Sequence, residues 1–133
     1  MTFLRSAALI AASFAASASY ARPVQISIKN PLPKLPLTCG GSTITEIGPR
    51  LQGDADNSSG TSITFRNGGH QVSYNKEAAI LNSKAGDHVL VCLVFVPKNC
   101  PKGDNRGRIY TTTNLRTLES WTLPDSQHSC GGA

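Results

Sequence analysis

His88-Val89-Leu90-Val91-Cys92-Leu93-Val94-Phe95-Val96-Pro97 is the stretch from which the fold can be read. Val89 to Val96 is an unbroken apolar run, largely β-branched, and far short of the roughly 20 residues that a membrane helix needs. A run of this length and composition fits a strand. Apolar side chains at both odd and even positions leave it no polar face, so it is expected to be central and covered on both sides. Pro97 ends it, because proline fixes φ and removes a backbone donor.

Shorter strands are expected on either side. Ser42 to Ile47 alternates, and Gly53 to Gly60 is a polar loop. Ser62 to Arg66 places Ile63 and Phe65 on one face, and Gln71 to Tyr74 returns with Val72 and Tyr74 on a face. Between them Asn67-Gly68-Gly69 adopts positive φ cheaply, which suits a hairpin turn. Glu77 to Ser83 reads equally as one or two helical turns capped by Asn75 or as an irregular crossing. Beyond Pro97, Lys98 to Gly107 is a long polar loop, Arg108 to Thr113 a strand with Tyr110, and Ser120 to Leu123 a strand with Trp121. Tyr110 and Trp121 are expected to pack the core beside Val91 and Phe95. The fold class is all-β: a small antiparallel β-sandwich or closed β-barrel, stabilised by disulfides.

Upstream, Met1 to Ala21 has the three parts of a cleavable export signal: Arg5, the apolar stretch Ala7 to Ala16, and small residues, Ser19 and Ala21, at the two positions read before a cut after Ala21. The expected mature chain, Arg22 to Ala133, has 12 basic against 8 acidic side chains, a net charge of +4. Residues 22–37 read as an extended arm rich in proline (Pro31, Pro33, Pro36), in which Val24 to Lys29 alternates and can add an edge strand. Residues 38–133 read as a single β domain. No later segment is apolar enough to cross a membrane, and no motif specifies nucleic-acid binding or a cofactor. A periplasmic or secreted location follows from the signal.

The four cysteines Cys39, Cys92, Cys100 and Cys130 then fall in an oxidising compartment, where two disulfides are expected. Cys92 to Val96 spans about 13 Å of extended chain, so Cys100 returns to Cys92 only through a tight hairpin. This favours Cys39–Cys92 within the core and Cys100–Cys130 clipping an otherwise undocked tail to the loop, over Cys92–Cys100 with Cys39–Cys130. A metal site is not expected, because the cysteines lack the close pairs of zinc ligands.

The loop carries the candidate ligand site. Lys98, Lys102, Arg106 and Arg108 outnumber Asp104, and Asn105 with the glycines can turn N–H groups toward an anion. Arg106 and Arg108 can grip a phosphate or carboxylate as planar forks. Gly103-Asp104-Asn105-Arg106 resembles a short motif of type I signal peptidases, but no serine–lysine pair is placed around it. Asp54-Ala55-Asp56-Asn57 resembles the start of an EF-hand loop, yet Phe65 stands where the bidentate glutamate belongs. The three histidines, His70, His88 and His128, are expected to be surface groups, and no catalytic residue is assigned.

From Gly86 onward the chain resembles small exported bacterial proteins of unknown function. The shared look lies in Gly86-Asp87-x-Val89, Cys92-Leu93, Asn99-Cys100-Pro101, Gly103-Asp104-x-Arg106-Gly107, Trp121-x-Leu123-x-Asp125 and the terminal Cys130-Gly131-Gly132-Ala133. The resemblance implies a compact exported domain and brings no activity with it. The expected role is a non-enzymatic binding module for an anionic envelope polymer or a protein partner. Alternatives are a small envelope-polymer hydrolase and a periplasmic inhibitor similar to lysozyme inhibitors. The basic charge disfavours the inhibitor, since lysozymes are usually basic too.

Overall fold

His88–Phe95 forms strand β4, in the middle of a single six-stranded antiparallel sheet, in a computed structural model that describes residues 30–132. Before it come β1 (Cys39–Pro49), β2 (Thr61–Phe65), β3 (His70–Ser73) and one helical turn, α1 (Ala78–Leu81). After it come β5 (Ile109–Asn114) and β6 (Ser120–Pro124). The strand order is β3-β2-β1-β4-β5-β6.

The long β1 changes partners along its length. Cys39–Thr43 pair with β4, and the stretch from Ile44 to Pro49 pairs with β2 across a bulge between Ile44 and Glu46. A bulge bends its strand and increases its twist. The sheet therefore curls into a half-barrel whose edge strands, β3 and β6, meet. The all-β class and both disulfides are as expected, and one curled sheet replaces the two layers of a sandwich.

Alternation sorts side chains between the two faces. The concave face buries Ile44, Ile63, Phe65, Val91, Leu93, Tyr110 and Trp121. Each such side chain contributes about 1.5–3 kcal/mol on leaving water. The turn α1 packs on β2 and β6 through the fully buried Ile80; Glu77 precedes it, and Asn75 does not cap it.

The signal segment, Val24 to Lys29 and most of the arm lie outside the described residues. Residues 30–38 contain no strand. They cross the inner side of β1 at Gly40, where a Cβ would stand 3.1 Å from the Pro31 carbonyl oxygen. Tyr110 Oη donates to the Pro33 carbonyl at 3.3 Å, and Leu32 packs on the core.

Gln71 closes the half-barrel. It points inward from β3, is almost fully buried, and uses all four of its hydrogen-bonding positions. Nε2 donates to the carbonyls of Tyr110 (2.6 Å) and Leu123 (3.1 Å). Oε1 accepts from Thr112 Oγ1 (2.6 Å) and Trp121 Nε1 (2.9 Å). The two edge strands are thus tied by one side chain. This corrects the reading of β3 by its apolar residues: Gln71 faces the core cluster, Val72 is buried apart from that cluster, and Tyr74 is exposed.

Asp87 holds the approach to β4. Its buried carboxylate accepts from Arg116 Nε (2.7 Å) and Nη2 (2.8 Å), Asn114 Nδ2 (2.9 Å) and the Lys84 N–H (3.0 Å). The Arg116 hydrogen bond is the main reason its pKa lies well below the ordinary aspartate range. A depressed folded pKa stabilises the protein above the unfolded value, near pH 4, and that contribution is lost as pH falls toward the folded value. The urea midpoint is therefore expected to hold from pH 7 to about 5 and to drop below about pH 4. In Asp87→Asn the drop below pH 4 should be smaller; an unchanged drop would remove Asp87 as its source.

Candidate functional site

Loop 98–108 and tail 125–132 fold against each other as a second, smaller unit. Cys100 pairs with Cys130, and the backbone adds Cys130 N–H to the Arg106 carbonyl at 3.1 Å. Asp125 accepts the N–H groups of Gly107 (2.8 Å) and Arg108 (3.1 Å). Partial burial raises the Asp125 pKa, and those two N–H donors oppose the rise. Further along, Gln127 accepts from Arg50 Nη1 through Oε1 (2.9 Å) and from Tyr74 Oη through its carbonyl (3.1 Å). The Arg50 guanidinium lies 4.2 Å from the Tyr74 ring centre. The tail is consequently docked by many bonds besides Cys130, contrary to the expectation that the disulfide alone would hold it.

Asp104 organises this unit and consumes the charge that suggested an anion site. Its carboxylate accepts from Arg106 Nε (3.0 Å), Arg106 Nη2 (2.8 Å) and the N–H groups of Arg106 (3.2 Å) and Gly131 (3.0 Å). The Arg106 side chain is the main cause of the depressed Asp104 pKa. Arg106 Nη2 also donates to the Gly132 carbonyl (3.1 Å), so the Nε–Nη2 edge of its guanidinium is engaged within the chain. Arg108 Nη2 donates to Asn105 Oδ1 at 3.4 Å.

Lys102, Asn105 and Arg106 line an open groove of about 650 Å³ together with Asp104, Asp125 and Ser126; Lys98 and Arg108 are not part of its lining. Two cationic side chains there face two carboxyl groups. Such a balance gives an anion little net attraction.

The other candidates separate. Asp54 spends its carboxylate on the N–H groups of Ser58 (3.1 Å) and Ser59 (2.6 Å) and on both serine hydroxyls. The Ser59 bonds are the main cause of its lowered pKa, and the loop is a self-bonded turn. His70 heads β3, with Nδ1 3.3 Å from Thr64 Oγ1; His88 heads β4, and His128 lies in the tail. None of the three is in the groove lining. Among the described residues no three His, Cys, Asp or Glu side chains are grouped to hold a metal ion.

A surface that the loop-centred reading passed over lies on the outer side of β1, β4, β5 and β6. Val89, Val91 and Leu93 of β4 are buried, but Leu90, Val94 and Phe95 are 38–48% exposed. The expectation that β4 is covered on both sides is thereby overturned, and Phe95 leaves the expected core. Cys39 stands opposite Cys92 in the ladder, and their disulfide lies on this outer face, not in the core. Beside it, Thr111 and Thr122 bond through their hydroxyls at 2.7 Å, and Thr113 with Ser120 at 2.8 Å. Leu35 and Leu37, 69% and 86% exposed, stand in the turn that leads into β1. None of the outward positions in these four strand segments is Lys, Arg, Asp or Glu.

The two disulfides fit an oxidising, extracytoplasmic compartment. Among the described residues no helix is long and apolar enough to cross a membrane. Comparison with protein-family models, with curated proteins and with solved structures finds no match for this chain.

Proposed function

We propose that this chain is a non-enzymatic exported binding domain that meets a protein partner through the outer face of β1, β4, β5 and β6. Its first 21 residues act as the cleaved signal, and the mature domain works in the periplasm or outside the cell, as in the small exported bacterial proteins it resembles. The observation that carries the reading is the mismatch between β4 and its surroundings. A strand apolar on both faces belongs between two layers, and among the described residues no second layer covers its outer face. Exposed Leu90, Val94 and Phe95 on an uncharged face are the features of a protein contact.

The rival readings draw less support. An anionic polymer would meet Arg106 already committed to Asp104. A hydrolase would need a histidine beside the carboxylates and Ser126, and the groove lining contains none. An inhibitor of lysozyme type would be one kind of protein partner, but a basic one facing a basic chain.

The test is capture from envelope extract on immobilised, oxidised protein. Leu90→Glu with Phe95→Glu is expected to reduce the captured protein at least about tenfold, which corresponds to about 1.4 kcal/mol of lost contact. Arg106→Ala with Arg108→Ala should leave capture, and retention on heparin, within about twofold. Loss of binding in the arginine variant with full capture by the Glu variant would reverse the assignment.

A further inference from the structure

We infer that the tip where the turn at residues 35–38 meets the end of β4 docks on an anionic lipid bilayer. Leu35 and Leu37 enter the boundary between headgroups and acyl chains, and Lys34 and Lys98 meet the lipid phosphates. The site stands apart from the protein contact proposed for the centre of the outer face and goes beyond it.

The turn holds its leucines outward at a cost. The Leu35 carbonyl accepts both the Thr38 N–H (3.3 Å) and the Thr38 hydroxyl (2.6 Å), which closes residues 35–38. Pro36 stands second and Leu37 third, with a φ of 62° at Leu37. A proline followed by a positive φ is the pattern of a turn whose third position calls for glycine or asparagine. Leucine there crowds its own backbone, and its side chain is 86% exposed, so burial within the chain gives nothing back. A residue kept in a costly conformation with its apolar side chain in water points to something outside the chain that receives it.

Two backbone bonds set the turn beside the end of β4. The Leu37 N–H donates to the Leu93 carbonyl (2.7 Å), and the Leu93 N–H donates to the Thr38 carbonyl (3.0 Å). Exposed Leu35, Leu37, Val94 and Phe95 are thereby gathered at one end of the sheet. A lipid surface has no pockets to match; it takes apolar side chains that project from a fixed support.

Charge selects the bilayer. Residues 30–45 and 88–103, the segments that carry the tip, contain Lys34, Lys98 and Lys102 but no Asp or Glu. Asp104, next along the chain, is paired with Arg106. Lys34 and Lys98, both exposed, flank the apolar residues of the tip in sequence. Lysine stems lie along apolar surface while their ammonium groups reach the headgroups. Each lysine at an anionic surface adds attraction that a neutral bilayer does not offer. At the opposite end of β4, in the β5–β6 turn, Leu118 is also exposed at a φ of 60°, but Glu119 follows it. Leu118 therefore serves as the control.

Co-sedimentation of the oxidised protein with vesicles tests this, using phosphatidylcholine alone and phosphatidylcholine with roughly one third phosphatidylglycerol. The wild type is expected to pellet with the mixed vesicles and to bind the neutral ones at least about tenfold more weakly. Leu35→Asn with Leu37→Asn, and separately Lys34→Glu with Lys98→Glu, should each weaken binding to the mixed vesicles at least about tenfold. Leu118→Asn should leave it within about twofold. Leu37→Asn alone should raise the urea midpoint, because asparagine takes a positive φ at less cost; a lowered midpoint would contradict the cost assigned to that turn. A wild type that stays in solution with the mixed vesicles overturns the inference, as does equal binding to both vesicles. Binding that either double variant leaves unchanged, or that Leu118→Asn weakens as much, also overturns it. Loss of protein capture from envelope extract in the leucine double variant, with vesicle binding intact, would return the tip to the protein contact and overturn the lipid assignment alone.

Discussion

Full reduction of the protein is expected to lower its unfolding free energy by about 2–4 kcal/mol for each disulfide. The two bonds join residues 53 and 30 positions apart, so each removes a large loop from the unfolded ensemble. Against a typical domain stability of about 5–15 kcal/mol, their joint loss is a large share of the total. The native strands should nonetheless persist just after reduction. Cys39 and Cys92 are already ladder partners, flanked by the Leu37 N–H to Leu93 carbonyl bond (2.7 Å) and the Leu93 N–H to Thr38 carbonyl bond (3.0 Å). The measurement is the urea midpoint with and without reductant, with alkylation to confirm free thiols. An unchanged midpoint would remove the disulfides from the account of stability.

Gln71→Leu is expected to cost about 3–5 kcal/mol, although leucine has a similar volume and is apolar. The substitution leaves the Thr112 hydroxyl and the Trp121 indole N–H buried without their acceptor. It also removes both bonds from Nε2 to β5 and β6. A buried network loses more when one member is deleted than when the whole is replaced by apolar groups. The triple change Gln71→Leu, Thr112→Val, Trp121→Phe should therefore recover part of the loss. Urea unfolding of the two variants decides the matter: a neutral Gln71→Leu would mean that β3 and β6 are held by apolar contact alone.

These two effects differ in how far the sequence foretold them. The cysteine pairing followed from the reach of an extended strand between Cys92 and Val96. Strands β2, β4 and β6 lie within about a residue of the alternating or apolar runs that marked them. The early part of β1 did not stand out, because Gly40 and Gly41 look like strand breakers; Gly40 leaves the space that Pro31 fills. Gln71 gave no local signal at all. Its partners lie 39–52 residues away, and its neighbour Val72 was the better apolar candidate.

The loop's basic residues are partly engaged within the chain for a short-range reason. Asp104 lies two residues from Arg106, and a bidentate bond between them outweighs the count of basic residues. The outer face was half legible. An apolar run shows that both faces of β4 avoid charge, whereas the fold decides which face another layer of the same chain covers. Where a strand reads as buried and stands open, local and global preferences conflict, and such conflicts gather at sites of function.

Photo-crosslinking from the outer face tests that reading most directly. A photoreactive side chain is placed at Leu90 in one protein and at Lys102 in another, both oxidised and in the compartment where the chain resides. The account predicts a crosslink to a protein from position 90 and none from position 102. A crosslink from position 102 with none from position 90 would contradict it and return the site to the loop.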